Sequence, residues 1–140
     1  MATNISTIQI KASAQRVWDV LTKSEFVKQW QYGSELITDW KVGDDIRFKT
    51  HWEDKIFEQW GKVLEVRQYH LIKYSLFAPR PDVEDKPENY FVMSYILTSD
   101  KGQTTLEIIQ TDNRPDAVQV EPQGEENLIL RLLKQIAEAN

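Results

Sequence analysis

The segment LILRLLKQIAEA, residues 128–139, constrains the fold more than any other stretch of the chain. Stepped at ~100° per residue from Leu128, the side chains of Leu128, Leu132, Ile136, Ile129, Leu133, Ala137 and Leu130 fall in one arc of about 200°. A helix lying on a flat sheet needs an apolar face of only ~100°. This helix therefore predicts a concave partner, such as a strongly curved sheet. Pro122 suits a first helical position, and Glu125 and Glu126 suit a first turn, so the helix is expected to begin there.

Much of the remaining chain reads as strands. In DIRFKTHW, residues 45–52, Ile46, Phe48, Thr50 and Trp52 alternate with Arg47, Lys49 and His51. A period of two marks a half-buried strand. Further strands are predicted over residues 4–11, 34–40, 55–67, 71–77, 89–98 and 103–112. Short helices are predicted over residues 14–22, after a Ser13 cap, and from a Ser24 cap through Trp30. Gly61, inside a long strand, marks a bulge or bend. Asp100-Lys101-Gly102 supplies a turn with glycine where positive φ is needed. Short connections predict antiparallel neighbours. Residues 78–89, APRPDVEDKPEN, hold three prolines and four acids. They cannot donate a full ladder of amides and form a loop, read either as a lid or as a solvated spacer.

A chain of 140 residues suits one domain, 1–140, with a sizeable core. The sequence has no cysteine, which excludes disulfides, thiolate catalysis and cysteine-ligated metal sites. Net charge is −5, and lysines and arginines are scattered among acids with no basic stripe for phosphates, so no nucleic-acid partner is expected. No stretch reaches the ~20 apolar residues of a membrane span. MATNISTIQI lacks the basic and apolar regions of a signal peptide, and a cytoplasmic location is expected.

The order of strand, two short helices, six strands and a long final helix resembles the helix-grip arrangement of the START-like (SRPBCC) superfamily. Within it, the chain is similar to the homologues of the heat-shock protein 90 ATPase activator domain. The resemblance rests on IKASAQRVWDVLTKSEFVKQW, DWKVGDDIRF, GKVLEVRQYHLIKYSL, YFVMSYILTSDKGQTTLEIIQTD and LILRLLKQI. It implies an α+β fold in which a curved antiparallel sheet of about seven strands wraps the last helix, with a cavity between them. Leu128 stands where the family commonly places a tryptophan, which implies more room beneath the helix.

Nothing in the sequence forms a nucleophilic catalytic set, a metal-binding histidine spacing or a phosphate loop, and no cofactor is expected. His70 lies in a turn, and His51 alternates away from Phe48 and Trp52. Glu58 is the best candidate for an acid in an apolar pocket, two residues from Trp60 and on the same side. The expected inward set on the sheet is Phe48, Thr50, Trp52, Trp60, Tyr74, Leu76, Phe91, Met93 and Tyr95. Each alone suits a core, but together with Ile129 and Leu133 of the helix they suit a ligand pocket.

Three functions are compatible with these features. The first is a non-enzymatic module that binds a hydrophobic small molecule. The second is a cyclase or dehydratase that adds one acid or base to the same cavity. The third, implied by the resemblance, is a protein-interaction domain whose partner is a chaperone or a second copy of the chain, with a place in the stress response.

Overall fold

The computed structural model describes residues 2–31 and 33–139, with only the backbone of Trp52. Strand β1 (Ala2–Ile10) leads through helices α1 (Ala14–Thr22) and α2 (Ser24–Trp30) to β2 (Glu35–Ile37). Strands β3 (Asp45–Trp52), β4 (Lys55–Arg67), β5 (Leu71–Leu76), β6 (Phe91–Asp100) and β7 (Gln103–Asp112) follow, then helix α3 (Leu128–Glu138). The strands form one antiparallel sheet in the order β1-β7-β6-β5-β4-β3-β2. Serial hairpins explain most of that order. β1 joins β7 because the two short helices carry the chain across the concave side.

Turn chemistry sets the registers. β6 and β7 are joined by Lys101 and Gly102, with φ of 53° and 80°. Positive φ at both central residues matches the right-handed twist of the flanking strands. Gly61 has a stricter role. A Cβ there would lie 1.8 Å from the Ser75 carbonyl oxygen. Only glycine lets β5 approach β4 this closely, and a register shift follows between Val63 and Glu65. The expected bend is therefore present, and its cause is backbone contact.

On the concave side, Leu130, Leu133 and Ala137 of α3 share one core with Ile8, Ile72 and Leu106 of the sheet and Val17 and Leu21 of α1. Leu133 is fully buried, a contribution of about 2 kcal/mol from removal of its side chain from water. Both ends of α3 are fixed. The Asn127 side chain accepts from the amides of Ile129 and Leu130 at the N-terminus. At the C-terminus, Arg16 of α1 donates to the carbonyls of Ile136 (2.9 Å) and Ala137 (3.3 Å), in the last turn, where helix carbonyls need outside partners.

Two expectations change. The helix does not start near Pro122. Residues 118–123 instead run along the free edge of β1, where Gln123 bridges Ser6, Thr7 donates to the Gln123 carbonyl and Gln123 donates to that of Ile5. These bonds occupy edge amides that would otherwise be open to another chain. The apolar arc of α3 is also only partly covered: Leu128 is 66% exposed and points away from the interior, so its small size adds no room there.

Candidate functional site

A cavity of about 630 Å³ lies between the concave face of the sheet, the end of α2 and the first turn of α3. Strict pairing registers bring its walls together. Tyr74 opposes Met93, Leu76 opposes Phe91, and Tyr95 opposes Ile108. Directly paired residues share a face of a sheet, so these six point into the concavity together. Phe48 of β3 packs on Tyr74 with ring centroids 5.8 Å apart. Trp30 closes the α2 side, its indole N–H held by the Val20 carbonyl at 2.8 Å. Ile129 and Leu130 of α3 complete the apolar wall.

Amides furnish the polar part of the lining. Asn4, Gln110, Gln123 and Asn127 lie where β1, β7 and the segment before α3 meet, and Gln59 lies on β4. Asn4 accepts from the Val120 amide and donates to the Val118 carbonyl, which pins the edge segment at the rim. No lysine, arginine, histidine, aspartate or glutamate is among the described lining residues. Deeper in, the hydroxyls of Tyr74 and Tyr95 lie 2.6 Å apart, with the rings edge to face at 5.6 Å. Burial pushes the Tyr74 phenol well above its usual value and that of Tyr95 up to about 12, so both stay neutral.

Of the residues expected to form the pocket, Phe48, Tyr74, Leu76, Phe91, Met93, Tyr95 and Ile129 line this cavity. Leu133 lies in the solid core beneath it. Thr50 spends its hydroxyl on Ser34 at 2.7 Å. The side chain of Trp52 falls outside the described residues. Glu58 and Trp60 face the other way. The β3–β4 register pairs Phe48 with Gln59 and Arg47 with Trp60, which puts Gln59 on the concave face and its two neighbours on the convex face. Glu58 forms an ion pair there with Arg47.

Trp60 instead belongs to an aromatic cluster on the outer face. It packs on Phe77, and Phe77 on Tyr90, each at 5.4 Å. Asp85, from the proline-rich loop, accepts from the Trp60 indole at 2.9 Å and from the Tyr90 hydroxyl at 2.5 Å. Those two bonds, the Tyr90 one first, hold the Asp85 carboxyl below its usual value. Arg80 of the same loop pairs with Asp116 at 2.8 Å. The loop is thus latched to the convex side, and none of residues 78–89 lines the cavity.

Sequence reasoning missed Trp30, Ile108 and the amides. Ile108 follows from alternation once β7 is registered against β6. The amides have no such signal, because polar residues at strand and helix ends are ordinary.

A curved antiparallel sheet gripping a C-terminal helix, with a cavity between them, defines a helix-grip domain of the START-like class. The family model described as Activator of Hsp90 ATPase homolog 1-like protein matches residues 11–138, and the chain belongs to that family. It is similar to a Cytophaga hutchinsonii protein of known solution structure, at 32% identity over 80% of this chain and 78% of that one, with a TM-score of 0.65. A Mesorhizobium loti crystal structure shares the fold at 18% identity, covering 99% and 98% of the two chains, with a TM-score of 0.73. An HSP90 activator from Plasmodium falciparum shares it at 15% identity, covering 84% and 76%, with a TM-score of 0.65. No curated protein matches the sequence. No described helix is long and apolar enough to cross a membrane.

Proposed function

We propose that the chain binds an uncharged, largely apolar small molecule in the cavity between the sheet and α3, as a cytoplasmic binding domain without catalysis of its own. The observation that carries this reading is the lining: aromatic and aliphatic walls, a rim of neutral amides, and, among the described lining residues, no ionisable acid or base apart from two neutral phenols. A volume of about 630 Å³ suits a drug-sized guest. A cyclase or dehydratase would need a proton-transfer group within reach of its substrate. Glu58, the acid proposed for that role, lies on the opposite face in an ion pair.

The test is titration with N-phenylnaphthylamine, a neutral probe that fluoresces in apolar surroundings. Uptake at one site per chain is expected. Met93→Trp projects an indole into the cavity from its wall and is expected to weaken uptake. Failure of the wild-type protein to take up the probe would overturn the reading.

A second reading, a chaperone partner, is favoured by family membership and by exposed apolar residues at the β3–β4 hairpin, Ile56 at 61% and Phe57 at 54%. Stimulation of a heat-shock protein 90 ATPase by the wild-type chain, lost on Ile56→Ser/Phe57→Ser, would support it. No stimulation at saturating concentration would end it.

A further inference from the structure

The two cavity phenols leave a hydrogen-bond account open. Each hydroxyl carries one proton to donate and lone pairs to accept. Tyr74 and Tyr95 are bonded to each other, and neither hydroxyl makes another hydrogen bond among the described residues. A mutual pair consumes one proton and leaves the second uncommitted. Both side chains are buried, at 2% and 3% exposure, and both line the cavity. A buried donor without an acceptor is costly, and a guest that supplies one is favoured by the same amount.

We infer that the Tyr74–Tyr95 hydroxyl pair is the polar anchor of the cavity, giving its uncommitted proton to a carbonyl-type oxygen at the buried end of an uncharged apolar guest. This rests on the proposed binding role of the cavity and narrows it to neutral ketones, esters and amides. A carboxylate is disfavoured, because no described lining residue carries a positive charge to balance it. The nearby guanidinium of Arg114, 4.7 Å over the Phe91 ring, is already matched by Asp112 through two bonds of 2.8 and 2.7 Å. A hydrocarbon with no oxygen would leave the proton unanswered. The pairing also predicts redundancy. Tyr74→Phe leaves the Tyr95 proton free for the guest, and Tyr95→Phe leaves that of Tyr74, so only the double variant removes the donor.

Two neutral probes separate this inference from the reading it rests on. Prodan is a naphthyl ketone whose emission shifts to the red when its carbonyl accepts a hydrogen bond; N-phenylnaphthylamine has no carbonyl. N-phenylnaphthylamine is expected to bind the wild type, and its affinity in Tyr74→Phe/Tyr95→Phe reads any change in cavity shape that the prodan loss must exceed. Prodan is expected to keep its affinity within about threefold in each single variant and to lose about tenfold in the double variant, with bound emission moving to the blue. On the wild type alone, the infrared carbonyl band of bound prodan is expected below its position in heptane, a measurement independent of whether the double variant folds. A band at the heptane position, or equal losses for both probes in the double variant, would overturn the anchor and leave the cavity reading standing. Failure of the wild type to bind either probe would overturn both.

Discussion

At the scale of single residues, Gly61 and the tyrosine pair make the sharpest demands. Gly61→Ala forces a methyl group into the Ser75 carbonyl, and backbone cannot step aside as a side chain can. A loss of about 3 kcal/mol is expected in urea unfolding, at the upper end of typical overpacking costs. The phenols give a pH signature. Their folded pKa values lie above the ordinary 10.0, so the folded state holds protons that the unfolded chain releases. Stability from this source is complete below pH 10 and is lost as pH rises toward about 12. Thermal melts from pH 8 to 11.5 are expected to show a steeper alkaline fall in the wild type than in Tyr74→Phe/Tyr95→Phe. Gly61 was legible in the sequence as a bend, because a glycine inside a long strand lacks a packing reason. The phenol pairing was not, because it depends on the diagonal placement of two residues 21 positions apart.

Among the elements, α3 and the latched loop behave oppositely. α3 is held by burial along its length and by polar groups at both ends. Leu133→Ala is expected to cost about 2–5 kcal/mol and Asn127→Ala about 1 kcal/mol, both read by chemical denaturation. The proline-rich loop is held by a few bonds at the surface. Asp85→Ala is expected to expose residues 78–89 to limited proteolysis while leaving N-phenylnaphthylamine affinity unchanged, since none of them lines the cavity. The sequence predicted β3, β4, β7 and α1 at their observed limits, because period and turn signals coincide there. It misplaced the start of α3, where proline and glutamate also suit an edge segment. The facing of β4 was misread for a related reason. A large aromatic suggests an interior, but Trp60 finds its apolar cover outside, beneath Phe77, Tyr90 and the loop. Alternation alone leaves two choices of face, and the register that decides between them is a property of the neighbouring strand.

For the whole molecule, the two faces of the sheet carry different chemistry. The convex face holds ion pairs and the latch; the described residues lining the cavity on the concave face are all neutral. Glu58→Gln is therefore expected to leave probe binding within about twofold, and its ion pair is partly exposed, so stability changes by less than about 1 kcal/mol. The affinity for N-phenylnaphthylamine is expected to stay flat from pH 5 to 9, since no described lining residue titrates there. A pH-dependent affinity would mean that a charged group reaches the guest. The fold was legible because it follows from the breadth of one helix's apolar face and a run of short hairpins. The cavity was only half legible, because a void is set by how far apart the elements rest.

The fork of Arg16 on the carbonyls of Ile136 and Ala137 joins groups about 120 residues apart in the chain. β1 likewise waits for β7, roughly a hundred positions later. Closures this distant raise the contact order and predict slow folding, on the order of milliseconds to seconds, a rate that stopped-flow refolding would check. Any state in which the sheet forms before α3 docks would leave Ile72, Leu106 and their neighbours facing water. Refolding by dilution should then give yields that fall with protein concentration, and an apolar guest that covers these residues early should raise them.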